Sequence, residues 1–399
     1  MVSRIVLGAV LCMSLVLEVV PGISCATKQS EVTRAEREAL LNEGFAIASM
    51  IPRHPLGPDR GRAQETVVIA AMDAGFLELA ELQAHSIEGW RRGQALARIG
   101  QRHAAAGDLA RARECVNDAL GVAAKETEWK KERISVEAAS TLAVLRDDAE
   151  ADRVAAGATP AELGKLTVAR TALVDPSALD ALTAQFDRDI ATLNFDLARN
   201  GIDGYIVLLE RSRHDAVRAT RSLAALDAAI PGLPMDLQVT TRIRLARLLA
   251  RLDRRDEAAA QLAQAEQTLA STTFLPEDVI PLSASVARCR RDLGDAQGAR
   301  KALDRLRDQF PALREGIVDL RRAASMRALA EGYCELGDLA AASACYTQAL
   351  TEGDHNPNAR PRAEDLSATC ASMARVGYAP SPTQCTTIAE ITLRLVDPW

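Results

Sequence analysis

Leu336-Gly337-Asp338-Leu339 is a tight turn between two runs of small side chains, and the arrangement recurs along the chain. The same glycine-aspartate pair stands at Gly107-Asp108 and Gly294-Asp295, each time followed, five residues past the glycine, by an alanine: Ala112, Ala299 and Ala342. Asp253 occupies the glycine position of a fourth copy, with Ala258 after it. A further small or aliphatic side chain lies twelve residues past each turn (Ala119, Ala265, Leu306, Ala349) and seven before it (Gly100, Ala246, Ala287, Ala330). Helices approach closely only where small residues face each other, so the offsets predict repeated antiparallel helix hairpins. A weaker fifth copy surrounds Gly75, with Val67, Val68 and Ala71 before it and Ala80 and Ala84 after.

Composition agrees with this reading. The 399 residues are 48% hydrophobic and only 3% aromatic, an ordinary folded chain suited to close-packed helices rather than a β-sandwich. A formal charge of −6 argues against non-specific nucleic-acid binding, and no nucleic-acid partner is expected.

The copies at Gly107 and Gly337 resemble tetratricopeptide repeats. The resemblance is carried by Leu96, Ile99, Gly100, His103, Gly107, Ala112, Val116 and Ala119 in one, and by Met326, Leu329, Ala330, Tyr333, Gly337, Ala342, Tyr346 and Ala349 in the other. It covers about half the chain, and it lacks both the tryptophan usual near the start of the first helix and the proline that closes the second. It implies an all-α, right-handed superhelical solenoid of antiparallel hairpins that binds a protein or peptide in its concave groove.

Four regions are expected. Residues 1–26 read as a signal peptide: Arg4, an apolar run from Ile5 to Leu17, then small residues around Ser24-Cys25-Ala26. Export to the periplasm or beyond follows, with Cys25 as an alternative point of lipidation that would tether the chain to a membrane as part of an envelope assembly. Residues 27–60 hold a helix from Thr33 to Ser49 and a linker with Pro52, Pro55 and Pro58. Residues 61–230 carry hairpins, including the copies at Gly75 and Gly107, one continuous helix from Lys131 to about Ala155, and another from Asp175-Pro176 to Asn200-Gly201. After a break at Pro231-Gly232-Leu233-Pro234, residues 235–399 carry the copies at Asp253, Gly294 and Gly337. The last pair, Ala363 to Val376 and Thr383 to Val396, is expected to cap the open end of the stack.

No reactive constellation is visible. The sequence lacks G-x-S-x-G, H-E-x-x-H and G-x-G-x-x-G patterns, and Gly164-Lys165 is followed by Leu166 where a phosphate loop needs Ser or Thr. His103 falls where the repeat packs an aromatic, so it is expected in the core. Neither an enzyme activity nor a cofactor is indicated, and no Cys/His spacing suggests a metal. Cys334 and Cys345, and Cys370 and Cys385, flank successive turns; each pair either staples its hairpin or supplies small core side chains.

One feature points outward. Arg98, Arg244, Arg247, Arg251, Arg288, Arg291 and Arg327 fall at groove-facing offsets of the first helices, with Arg244, Arg247 and Arg251 spaced by three and four. They form either a guanidinium ladder for the carboxylates of an acidic peptide or an ordinary solvated face.

Overall fold

Each glycine-aspartate turn ends one helix and starts the next. Gly107 adopts φ +86°, the left-handed conformation that costs L-residues about 1–2 kcal/mol. The turn lets the Asp108 amide donate back to His103 O at 2.9 Å, while Asp108 Oδ1 accepts from the Arg111 amide at 3.1 Å. The glycine therefore closes a Schellman motif and the aspartate N-caps the following helix. Gly294-Asp295 and Gly337-Asp338 repeat both bonds. Asp253 holds the glycine's place at φ 59°, with Arg254 N donating to Leu249 O at 2.9 Å. A sixth copy lies at Arg146, where φ is 62°, Asp147 N donates to Leu142 O at 3.0 Å, and Ala151 is buried five residues on. The helix expected to run unbroken from Lys131 to Ala155 is therefore two.

In this computed structural model, which describes residues 32–192 and 194–399, nineteen α-helices are present and no strand. They are α1 (Arg34–Met50), α2 (Gly57–Asp73), α3 (Leu77–His85), α4 (Trp90–Ala105), α5 (Leu109–Ala123), α6 (Glu128–Val144), α7 (Asp148–Ala155), α8 (Pro160–Thr171), α9 (Leu179–Ile190) and α10 (Phe195–Arg211). There follow α11 (Ala216–Ala229), α12 (Met235–Arg251), α13 (Arg255–Ser271), α14 (Pro276–Asp292), α15 (Ala296–Leu313), α16 (Asp319–Glu335), α17 (Leu339–Asp354), α18 (Ala359–Val376) and α19 (Pro382–Leu393). None is long and apolar enough to cross a membrane. The leader, residues 1–26 with Cys25, lies outside the described residues.

The even-numbered helices form the inner layer of an all-α solenoid: α2, α4, α6, α8 and α10 pack in series, as do α12, α14, α16 and α18. Odd-numbered helices pair with them on the outside. The alanines after the turns, Ala112, Ala258, Ala299 and Ala342, are all buried at these contacts. Gly100 shows why small residues recur: a Cβ there would stand 3.1 Å from Ala112 O and 3.3 Å from Cys115 Cβ.

The two ends of residues 32–399 meet. α18 packs against α1 and α2 as well as α16 and α17, so the last inner helix takes its outer partner from the first described helix. Arg37 Nε donates to Ala374 O at 2.8 Å, and Arg62 Nη2 pairs with Glu364 at 2.7 Å. Ile47, Ala48 and Ile51 share a core with Ala363, Leu366, Cys370 and Ile388. Closure on α1 covers one side of α18, and α19, the second helix of the expected terminal pair, packs against α17 and α18.

Two boundaries in the middle differ from expectation for one reason. α9 ends at Ile190, and the chain re-enters helix as α10 after Asn194, whose side chain accepts from Leu197 N at 3.1 Å. It then runs helical through Asn200-Gly201, where a stop was expected. Gly201 and Gly204 serve packing: a Cβ on Gly204 would fall 2.3 Å from the Phe186 ring, and one on Gly201 2.8 Å from Ile190 Cγ1. Pro231-Gly232 forms a short 3-10 turn inside one compact unit spanning residues 32–399.

Candidate functional site: the concave wall

Five inner helices, α2, α4, α6, α8 and α10, converge on one pocket of about 800 Å³. At its rim Trp90 opens α4 and Trp129 lies in the first turn of α6, their rings edge to face with centroids 5.1 Å apart. Arg91 stands 4.6 Å from the Trp90 ring, and Arg133 lies 5.9 Å from both rings. These are cation–π distances that hold the indoles in place. Five basic and five acidic side chains line the pocket, so its wall is charge-balanced. Arg98 sits here, with Nε 3.0 Å from Glu137 on α6 and Nη1 3.8 Å from Glu65 on α2.

A second pocket of about 350 Å³ opens between α10, α12 and α14. Arg244, Arg247 and Arg251 all line it, as their helical spacing requires, with Glu210, Thr240 and Ser285. Arg244 pairs with Asp203 on α10 at 2.5 Å, and Arg247 with Asp292 on α14 at 2.7 Å. Arg251 is held least: its guanidinium lies 3.9 Å from Glu210, and its side chain is 67% exposed.

The remaining arginines are committed to neighbouring helices. Arg288 on α14 reaches Glu331 at 3.1 Å and Glu335 at 2.9 Å, both on α16. Arg291 bonds Glu335 at 3.0 Å, and Arg327 bonds Asp365 on α18 at 3.0 Å. Glu331 also holds Arg375 and accepts from Ser372 Oγ at 2.8 Å. Burial alone would lower the Arg288 guanidinium; the Glu335 and Glu331 carboxylates outweigh it and leave its pKa raised. Each of the seven arginines faces a carboxylate from the chain itself, in most cases one contributed by the next inner helix.

The six described cysteines carry free thiols, so neither Cys334–Cys345 nor Cys370–Cys385 is a disulfide. Cys115, Cys289, Cys345 and Cys370 fill small core positions instead, while Cys334 is half-buried and Cys385 is exposed. Cys370 packs across the closure, where a Cβ on Gly44 would lie 3.3 Å from its own. Burial pushes the Cys334 and Cys345 thiols up to about 12, which keeps them protonated and inert.

His103 enters the core as expected, but beside two other donors. Glu81 on α3, His103 on α4 and Cys115 on α5 are all buried, with one ligand-type atom of each within 4.8 Å of the others. The set superficially matches a thiol, base and carboxylate. Cys115 is fully inaccessible and burial, with Glu81 nearby, pushes its thiol up to about 12, so it is no nucleophile. Sequence spacing missed this cluster and the tryptophan pair because both join residues from separate helices, 34 and 39 positions apart at their widest.

These features define a helical-repeat solenoid with a charged concave wall. No protein-family model and no curated protein matches the chain. Among solved structures it is similar, at 15% identity and TM-score 0.31, to Ton1535 from Thermococcus onnurineus NA1, over 84% of this chain and 98% of that one. It is also similar to a circular tandem repeat protein with novel repeat topology, at 15% identity and TM-score 0.25, over 90% of this chain and 91% of that one.

Proposed function

We propose that this protein is a non-catalytic, tetratricopeptide-like scaffold that holds an extended protein or peptide segment against its concave wall. The observation that carries the reading is the convergence of five inner helices on one wide, charge-balanced pocket gated by Trp90 and Trp129. A wall of this kind suits a polar segment with an aromatic or aliphatic anchor between the indoles. An acidic group of the same segment docks at Arg251, whose own partner is distant and which can change partner at little cost. The raised Cys115 thiol and the absence of any other group of three metal-type donors among the described residues favour binding over chemistry. The signal-peptide pattern read at residues 1–26 supports a site of action in the periplasm or outside the cell. Mass spectrometry of the mature N-terminus distinguishes a free Thr27 from an acylated Cys25.

An immobilised random-peptide array tests the reading. The full mature chain is expected to select peptides that combine an aromatic residue with Asp or Glu, with binding that weakens as salt rises. Replacing Arg244, Arg247 and Arg251 by Ala is expected to erase the acidic preference, and Trp129→Ala the aromatic one. Unchanged selection by both variants would overturn the proposal.

A further inference from the structure

The cluster formed by Glu81, His103 and Cys115 has the chemistry of a metal site and one feature that ordinary packing leaves unexplained. His103 is only 6% exposed, yet its Nε2 has no hydrogen-bond partner. It approaches Glu81 Oε2 at 3.5 Å without the alignment a hydrogen bond requires. A buried ring nitrogen left unpaired is destabilising, so a histidine serving only to fill space would turn to meet the carboxylate. One ring nitrogen of His103, Cys115 Sγ and a Glu81 carboxylate oxygen lie within 4.8 Å of one another, with Nε2 on the Glu81 side.

We propose that Glu81, His103 and Cys115 bind a divalent transition metal, zinc above all, as a structural staple joining α3, α4 and α5. One imidazole nitrogen, one sulfur and one carboxylate oxygen form a donor set that zinc accepts and that harder cations such as magnesium or calcium do not favour. Ligand atoms held about 2.0–2.3 Å from zinc stand about 3.5 Å apart, so the cluster closes on the ion through side-chain rotation alone. As the metal–sulfur bond forms, the thiol proton leaves to solvent and His103 binds through Nε2 as the neutral ring. Arg111 already forks Glu81, at 2.7 and 2.9 Å, and fixes the carboxylate while leaving lone pairs free. His85 is the nearest further donor, with Nε2 3.8 Å from Glu81 and 3.7 Å from Asp118 at the mouth of the cluster.

Cobalt(II) titration of the full mature chain tests this directly. One equivalent is expected to bind with a near-ultraviolet thiolate-to-cobalt band, which zinc then bleaches, and zinc is expected to raise the Tm. Cys115→Ser is expected to abolish the band. His103→Gln is expected to weaken cobalt binding by more than about tenfold with helicity retained. Cys289→Ser, at an equally buried thiol outside the cluster, is expected to leave the band intact. Absence of a thiolate band in the natural sequence, or its survival in Cys115→Ser, would overturn the proposal. Should Cys115→Ser fail to fold, unchanged cobalt affinity in His103→Gln would do the same.

Discussion

The wall from α2 to α10 and the wall from α14 to α18 are built from the same kind of inner helix, yet they treat charge oppositely. In the first, charged side chains ring an open pocket, and Arg98, 36% exposed, is shared between Glu137 and Glu65. In the second, Arg288, Arg291, Arg327 and Arg375 are drawn into bonds with Glu331, Glu335 and Asp365, and Tyr346 extends the network through Ser372. Arginine content therefore does not distinguish the open wall from the committed one. What separates an available guanidinium from a structural one is whether the next helix sets a carboxylate opposite it in a desolvated place.

The contrast breaks most visibly at Glu331. Glu331→Ala removes the carboxylate partner of Arg375 and leaves Arg288 with Glu335 alone, and is expected to cost about 3 kcal/mol in urea unfolding, whereas Arg98→Ala in the open wall is expected to cost at most about 1 kcal/mol. Equal losses would erase the distinction between the two walls. The open wall draws its rigidity from close helix contact instead: Gly204→Ala drives a methyl group into the Phe186 ring and is expected to cost about 2 kcal/mol by the same measurement. Its turns also carry strain, because Arg146 sits at φ 62°. Arg146→Gly is expected to raise stability by about 1 kcal/mol, read as a higher Tm.

The smallest effect belongs to the committed wall and depends on pH. Burial alone would raise the Glu352 carboxyl, but its bonds to Arg314 at 2.8 Å and Gln348 at 2.6 Å, with the Arg314 charge, hold it below the usual carboxylate range. A carboxyl depressed on folding adds stability above its unfolded pKa and loses it as pH falls through the folded value. Glu352→Gln is therefore expected to flatten the acid limb of the stability curve and to change little on the alkaline side. An acid limb identical to that of the natural sequence would contradict this.

The repeats were legible because a turn is a local matter: the Gly-Asp pair carries both the left-handed residue and the N-cap within two positions. The copy at Arg146 was not legible, because an arginine stands where the conformation favours glycine. Gly201 misled in the opposite sense, reading as a helix stop while serving a close contact with α9. The shared face of Arg244, Arg247 and Arg251 was legible from their spacing, and the three line one pocket. Their carboxylate partners lie roughly forty residues away in sequence, a distance over which no helical periodicity reports. Closure was hidden for the same reason, since α1 and α18 stand at opposite ends of the described chain.

That closure makes the concave wall one continuous surface, and cross-linking tests it most directly. Gly44 on α1 and Cys370 on α18 face each other with a Cβ-to-Cβ separation of 3.3 Å if a side chain is added at Gly44, near the range a disulfide spans. Mild oxidation of Gly44→Cys should link that position to Cys370, as a single species by non-reducing electrophoresis and peptide mapping. Failure to form this link in a variant of unchanged helicity, with or without bonds to other cysteines, would contradict the closed wall.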